Sequence, residues 1–520
     1  MPKEINEVTV VGGGSAGWMS AATLIRFFPN KKINVIESPD HPIIGVGEST
    51  LGHINRWLFA LCIKDEDFMK ASDASYKHSI AFTDFHRKGS GRIQYPFGIP
   101  FMDSCEYGFN DWHIMKFFYP WIPESDFAYS YNPSTTFAEM SVMVDHNDGT
   151  FDNYNPREDV AYHIDATKFG QWLKNVYCVP QGVNLIPATV KDVRTNEDGV
   201  ECLILDDGSE HKADLYIDCT GFKSLLLGQA LKGEFISYQD WIPNNKAWAA
   251  RMPYTDQEKE QVGYTNCTAL SNGWVWNTPC HSRIGTGYVY SDKYITPEEA
   301  LKEFQDHLGR DDLEFRSIDF KCGTYSKVWD KNVVGIGLSA GFIEPLESNG
   351  LYTIHEYLMV LMKSLSKKYI NQWDRDAFNL TVRPMYDVFA TFVSSHYKLS
   401  CRDDSQYWRD ITERTSISGE HNGVPETQGD FNNLWKAKMV NDVYDPGSGL
   451  PYIASGLGYS TVDDATLATW AYYYHKEPHI YKELADNIYE RFTQRKQKWA
   501  EAAKTYPSIH KYIQNKYYSN

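Results

Sequence analysis

Residues 8–22 read VTVVGGGSAGWMSAA, and they leave few folds open to this chain. The apolar run Val8, Val10 and Val11 stops at Gly12, and Gly12-x-Gly14-x-x-Gly17 opens directly into a helical pattern. A strand, a tight glycine turn and a helix start are thus joined in one short piece. In such a unit the first glycine makes the turn, the second lets a pyrophosphate approach the backbone, and the third lets the helix close on the strand. Ile33, Val35 and Ile36 then form a second strand ending at Glu37. That is about 20 residues past the last glycine, where an acid is expected to hold ribose hydroxyls. The pattern predicts an α/β fold whose first βαβ unit binds a dinucleotide, with Ser15 and Ala16 in the same phosphate-facing loop.

A chain of 520 residues exceeds one simple core, so two or three packed subregions are expected. No apolar run approaches the roughly 18–20 residues of a membrane span. No apolar leader precedes the first strand, so nothing marks export and a cytoplasmic location is expected. The nine cysteines are scattered and odd in number. They read as free thiols, neither a disulfide framework nor a zinc site. A net charge of −17 argues against nucleic acid as a partner. Aromatic residues make up 15 % of the chain, which suits either a Tyr- and Phe-filled core or a site for a flat substrate.

Gly45-Val-Gly47-Glu48-Ser49-Thr50 reads as a loop whose amides can face a ligand, although such a loop need carry no function. Lys77 is followed closely by Ile80, Phe82 and Phe85. That placement suggests a buried strand edge, whereas most lysines are solvated. Residues 93–130 are dense in aromatics with few regular patterns, as in an insertion packed over a site. Asp165 is a candidate N-cap for a helix through Leu173. Val183–Ile186, Thr189–Val193 and Glu201–Leu205 read as strands, with a hairpin turn at Asp206-Asp207-Gly208. Asp214–Gly221 is another buried strand, expected beside the first βαβ unit. Trp274 and Trp276 alternate on one strand face, and Pro279 ends the run as in a well-packed edge strand. Val333–Gly350 reads as a strand and a glycine-rich loop leading into a helix over Leu351–Leu365. Unpaired amides and the positive dipole end favour an anion there. From about Asn371 the chain is mostly helical, clearest over Asp374–Ser395 and Pro478–Thr505. His475 and His479 have ligand-like spacing, but Pro478 lies between them and no third ligand is near, so no metal site is expected.

Together these motifs resemble the flavin-dependent halogenases, the tryptophan-halogenase-like family. The ordered set is GGGSAGW at 12–18, GVGEST at 45–50, the lysine of ASYKHSI, DLYIDCTGF at 214–222, GWVWNTP at 273–279, RIGTGYVYS at 283–291 and GFIEPLESNGLY at 341–352. Thr278 stands where the family usually has isoleucine. The resemblance implies an FAD-binding module of the single-component flavin monooxygenase type, Rossmann-like with a mixed sheet, over residues 1–370. It would carry the aromatic-rich insertion at about 93–160, followed by a largely helical substrate-binding region over 371–520. It further implies that a separate flavin reductase supplies reduced FAD, and that oxygen and halide then yield hypohalous acid. Gly12, Gly14, Ser15, Ala16, Gly17, Glu37, Gly47, Glu48, Ser49, Gly337, Leu338 and Gly350 would hold FAD. Asn349 and Gly350 would hold the halide, and Trp274 and Trp276 would flank a tunnel to the substrate.

Lys77 matches the family's lysine, which holds hypohalous acid by a hydrogen bond or as a haloamine. Desolvation lowers a lysine's pKa and makes the neutral amine available. Glu347 matches the carboxylate that stabilises the cationic ring intermediate and takes its proton, and Glu344 is its ordinary neighbour. Tyr95, Phe97 and Trp435 match the aromatic sandwich around the substrate. Tyr95 replaces the family's histidine and Leu434 its second phenylalanine, and the tyrosine pair that grips the amino-acid end is missing from ETQGDFNNLW. An aromatic small molecule other than free tryptophan, indole- or phenol-like, is therefore expected. The alternatives are a flavin-dependent aromatic hydroxylase and a flavin-binding protein without chemistry of its own. A homo-oligomer is compatible with the sequence.

Overall fold

The computed structural model describes residues 3–39, 48–145, 149–413, 449–460, 467–469, 471–472, 475 and 477–519. The opening motif folds as its glycines dictate. Glu7–Val11 is a strand and Ser15–Phe27 a helix, with Gly12 between them at φ +114°. A Cβ on Gly12 would lie 2.3 Å from the Cys219 carbonyl oxygen, and one on Gly17 would lie 1.9 Å from the Gly12 oxygen. Neither position admits a side chain. Among the described residues nothing stands within 4 Å of the Cβ position of Gly14, so on that side the middle glycine is open.

This unit sits inside a six-stranded sheet ordered Trp329–Asp330, Val333–Gly335, Leu215–Asp218, Glu7–Val11, Lys32–Glu37 and Asn184–Pro187. All its pairings are parallel except the one at the Trp329–Asp330 edge. The expected strand within Asp214–Gly221 lies beside the first, with Val8 opposite Leu215. Asp165 caps the helix Ala166–Trp172 by accepting from the Lys168 amide at 3.1 Å.

A seven-stranded sheet runs Arg316–Asp319, Lys246–Met252, Ile284–Tyr290, Gly273–Pro279, Tyr264–Ala269, Ser79–Thr83 and Arg92–Pro96. The strand carrying Trp274 and Trp276 is central in it, not at an edge. Pro279 is tolerated because it ends the strand, where a missing N–H interrupts no ladder. A small sheet of Glu48–Ser49, Ala161–Ile164 and Ser75–Lys77 brings two distant motifs together, since Ser49 and Ser75 both pair with His163.

The aromatic-rich segment is more regular than its sequence suggests. It holds the strand Arg92–Pro96 and the helices Asn110–Phe118 and Asp126–Tyr131. Asp111 to Met115 are buried without a break, so no amphipathic stripe betrays the helix. The cause is the long helix Pro478–Ala503, which packs across it. Arg491 pairs with Asp111 at 2.5 Å, and Arg495 donates to the carbonyls of Phe101, Ser130 and Asp103 at 2.8–3.0 Å. No helix among the described residues is long and apolar enough to cross a membrane.

The buried Arg495 guanidinium is the main polar tie between the C-terminal helix and the aromatic segment. Replacing it with Met keeps much of the volume and strands three carbonyls. The expected loss is about 3 kcal/mol, or about 3 °C in Tm for a chain of this length. Thermal unfolding followed by tryptophan fluorescence measures it.

Candidate functional site

Lys77 ends the strand Ser75–Lys77, and its side chain is wholly buried. Its Nζ donates to Ser49 Oγ at 2.6 Å, to Ser348 Oγ at 2.8 Å and to the Thr50 carbonyl at 3.0 Å. It also stands 5.0 Å from the centre of the Phe97 ring. Burial lowers the amine from its ordinary value to about 7, although the nearby Glu347 and Cys267 pull the other way. Ser348 reaches Lys77 from a left-handed backbone, φ +55°, a conformation costing roughly 1–2 kcal/mol for a residue with a Cβ. That kink joins the short turn Pro345–Glu347 to the helix Asn349–Leu365. Three consecutive side chains thereby meet three different surroundings.

The first of them, Glu347, is buried against His396, whose Nε2 lies 2.6 Å from Oε1. His396 Nδ1 lies 2.8 Å from the Phe392 carbonyl. A carbonyl only accepts, so Nδ1 carries a proton, while Nε2 and Oε1 stand close without hydrogen-bond geometry. Burial raises Glu347, while His396 and Lys77 oppose the rise. Glu344 is raised by burial to about 7. Its oxygens are taken by the Tyr397 hydroxyl and by Asn244 Nδ2, the latter at 2.7 Å. Glu344 therefore holds the turn.

Trp274 and Trp276 project from one face of their strand, their rings 6.3 Å apart at 58°. Both are buried, and a Cβ on Gly287 of the neighbouring strand would lie 2.1 Å from the Trp276 ring. The Trp274 indole lies beside the Glu344 carboxyl. Cys267, paired across from Trp276, donates its thiol to the Leu346 carbonyl at 3.8 Å. The tryptophan strand is thus tied to the turn that carries Glu347.

On the other side of that turn, Asn349 and Gly350 line a narrow, solvent-open cleft with Gly337, Leu338, Gly341 and Tyr386. The Asn349 Nδ2 is buried and has no hydrogen-bond partner among the described residues. Ser348 gives the helix Asn349–Leu365 no side-chain cap, so its amides and dipole favour an anion. Gly337, at φ +70°, comes so close to Ala16 that a Cβ would stand 2.9 Å from the alanine methyl. The cleft and the glycine turn of the first helix are therefore neighbours. Ser15 Oγ donates to the Ala166 carbonyl at 3.0 Å, which ties the helix start to the helix behind it. Glu37 pairs with Lys174 and lies where a Cβ on Gly13 would meet it at 2.2 Å. Sequence reasoning passed over Gly13 and Lys174. Glu48 is pushed up to about 7 by burial and by Asp165. The open cradle, the uncapped helix start and the unpartnered amide fit a dinucleotide and a small anion. Gly47 lies outside the described residues.

Tyr95 and Phe97 belong to a continuous set of rings. Tyr95 stacks on Tyr452 at 6.1 Å and meets Phe97 and Phe392 edge-on at 5.9 Å each. Phe392 in turn meets His396 at 5.0 Å, which links the rings to Glu347. Phe392, His396 and Tyr452 were not singled out in the sequence. The four-residue spacing of Phe392 and His396 on one helix is a signal that could have found those two, and Tyr452 joins them only through the fold. Trp435 lies outside the described residues.

The family model for tryptophan halogenase matches residues 7–449. The 7-chloro-L-tryptophan 6-halogenase KtzR of Kutzneria sp. (strain 744) is 33 % identical over 472 residues, covering 85 % of this chain and 88 % of that one. The apo structure of VirX1 superposes with a TM-score of 0.90 at 37 % identity, covering 99 % of this chain and all of that one. The tryptophan 6-halogenase SttH of Streptomyces toxytricini superposes at 0.83 with 28 % identity, over 98 % and 99 % of the two chains.

The depressed Lys77 amine has a consequence for stability. The unfolded chain, with lysine near 10.5, binds a proton that the folded chain releases near 7. Between those values this group makes the protein more stable as pH rises. Lys77→Met removes that gain, so the variant's stability relative to the parent should fall between pH 7 and 10, by up to about 1.4 kcal/mol per unit. Urea unfolding at pH 7, 8 and 9 measures it; a constant difference would mean an unshifted amine.

Proposed function

The chain belongs to the tryptophan halogenase family, and from that premise we propose that it is an FAD-dependent halogenase acting on an aromatic small molecule. The observation that carries this reading is the buried Lys77 amine, held by three oxygens over Phe97 and flanked by Glu347. Reduced FAD, supplied by a separate reductase and held by the Gly12–Gly17 turn, Glu37, Glu48, Ser49, Gly337, Leu338 and Gly350, would provide with oxygen the oxidation of halide to hypohalous acid. Asn349 and Gly350 hold the halide at the helix start. Trp274 and Trp276 wall off that side from the substrate rings, which separates halogen transfer from direct hydroxylation.

In its ammonium form Lys77 has all three N–H groups engaged, so it acts through the lone pair of the neutral amine. The nitrogen takes the halogen from hypohalous acid and one of its N–H protons leaves with the hydroxyl as water. The resulting haloamine then passes the halogen to a ring placed against Phe97 and Tyr95, while its nitrogen takes a proton from the Glu347 carboxyl and returns to the neutral amine. Glu347 accepts the proton that the ring then loses. A carboxyl raised by burial is a stronger base than an ordinary one, and His396 packs against it. The amino-acid clamp missing from ETQGDFNNLW favours an indole or phenol over free tryptophan.

The direct test incubates the protein with an aromatic library, a flavin reductase and chloride or bromide, with products read by isotope pattern. Hydroxylated products without halogenated ones would support the hydroxylase instead. Lys77→Ala and Lys77→Met should both bind FAD and consume reduced flavin at the parent rate, yet lower halogenation at least about 100-fold. Halogenation by either variant above that of free hypohalous acid would remove Lys77 from the chemistry.

Substrate and supply give a second expectation. NADH without reductase should leave the enzyme idle, since the chain carries one dinucleotide fingerprint. Free tryptophan should show a kcat/KM at least about tenfold below that of a clamp-free indole, as measured by competition in one vessel. Rapid reduction of bound flavin by NADH, or efficient turnover of free tryptophan, would contradict these two expectations respectively.

A further inference from the structure

A wholly buried amine that must work in its neutral form has to part with a proton, and bulk water does not reach it. Of its three acceptors, the Thr50 carbonyl can take no proton onward, and among the described residues Ser348 leads back to Ser49, at 3.0 Å. Ser49 leads further. Its Oγ lies 2.8 Å from Thr265 Oγ1, which lies 2.9 Å from His163 Nε2. His163 is itself fully buried; the Pro279 main chain lies beside its ring, and its Nδ1 has no hydrogen-bond partner among the described residues. A row of two hydroxyls therefore runs from the Lys77 nitrogen to an imidazole that the chemistry above does not use.

We propose that Ser49, Thr265 and His163 form a proton relay that serves Lys77, with His163 as its terminal acceptor; this rests on the haloamine reading of Lys77. Each hydroxyl has one proton and can point either way. With Lys77 as ammonium, Ser49 donates to Thr265 and Thr265 to the bare Nε2. In the transfer an N–H bond of Lys77 breaks and its proton joins Ser49, whose own proton passes to Thr265. The Thr265 proton passes in turn to Nε2. The result is a neutral amine and an imidazolium, with both hydroxyls reversed and no electrons exchanged. Burial, Lys77 and His78 all hold His163 in its neutral form, with the Pro279 main chain opposing. Glu347 and Cys267 face Lys77 from the other side and favour its charged form. The proton thus rests on Lys77 between turnovers and moves to His163 only transiently, after which it returns along the same hydroxyls.

Thr265→Val removes the central hydroxyl at nearly constant shape, and Thr265→Ser restores it. The expected result is a kcat at least about tenfold lower in the valine variant, with KM for the aromatic substrate within twofold and the loss recovered by serine. The solvent deuterium isotope effect on kcat should change with it. His163→Gln should lower kcat similarly. An independent readout uses the protein without cofactor. In ¹⁵N-histidine spectra, assigned by the signal missing in His163→Gln, His163 should carry its proton on Nδ1 and sense the Lys77 titration near neutral pH. Lys77→Met should abolish that response and Thr265→Val should weaken it. Parent kcat and parent pH profile in Thr265→Val, or a proton on Nε2, would overturn the relay. A parent enzyme that gives no halogenated product, while its His163 signal behaves as described, would instead overturn the haloamine reading alone.

Discussion

The interaction on which the site depends is the enclosure of one amino group. A buried ammonium without partners costs several kcal/mol, and the fold surrounds Lys77 Nζ with three oxygens from two distant segments. Ser49 and Thr50 arrive from the short strand Glu48–Ser49 and its end, and Ser348 from the far side of the chain. These partners are neutral, so the charge is solvated without being fixed by an adjacent ion pair. The amine consequently falls to about 7, and both of its forms are available near neutrality.

The turn Pro345–Gly350 divides the two halves of the site. Its left-handed Ser348 sends Glu347 toward His396, Ser348 to Lys77, and Asn349 into the cleft beside the glycine cradle. Such a conformation persists only where its surroundings over-determine it. Glu344, fixed by Tyr397 and Asn244, and Leu346, whose carbonyl accepts from Cys267, anchor the turn on either side. The cleft and the amine are thus linked through a few residues of rigid backbone, with the tryptophan strand packed alongside.

The rings beside Lys77 depend on the C-terminal part of the chain. Tyr452 and Phe392 come from beyond residue 370, while Tyr95 and Phe97 leave the seven-stranded sheet. The helix Pro478–Ala503 braces the aromatic segment from outside through Arg491 and Arg495. Ring geometry is therefore set by packing between segments far apart in sequence, and a change in either one is felt at the rings.

What the sequence determined by itself is what local sterics enforce. The strand, turn and helix around Gly12, Gly14 and Gly17 were legible because each glycine has a backbone reason to be there. So were the Asp165 cap and the strand beside Glu7–Val11. Lys77 and Glu347 carried no such local mark, and likeness to a family pointed to them. The helix Asn110–Phe118 was hidden because burial on all sides erases the alternation that reveals a helix. The tertiary structure alone decided which groups are shifted and which are joined. Ser49, Lys77, His163, Thr265 and Ser348 meet through strand pairing and one strained turn across 300 residues of sequence. Desolvation and hydrogen bonding depend on position in space, and no spacing along the chain encodes them.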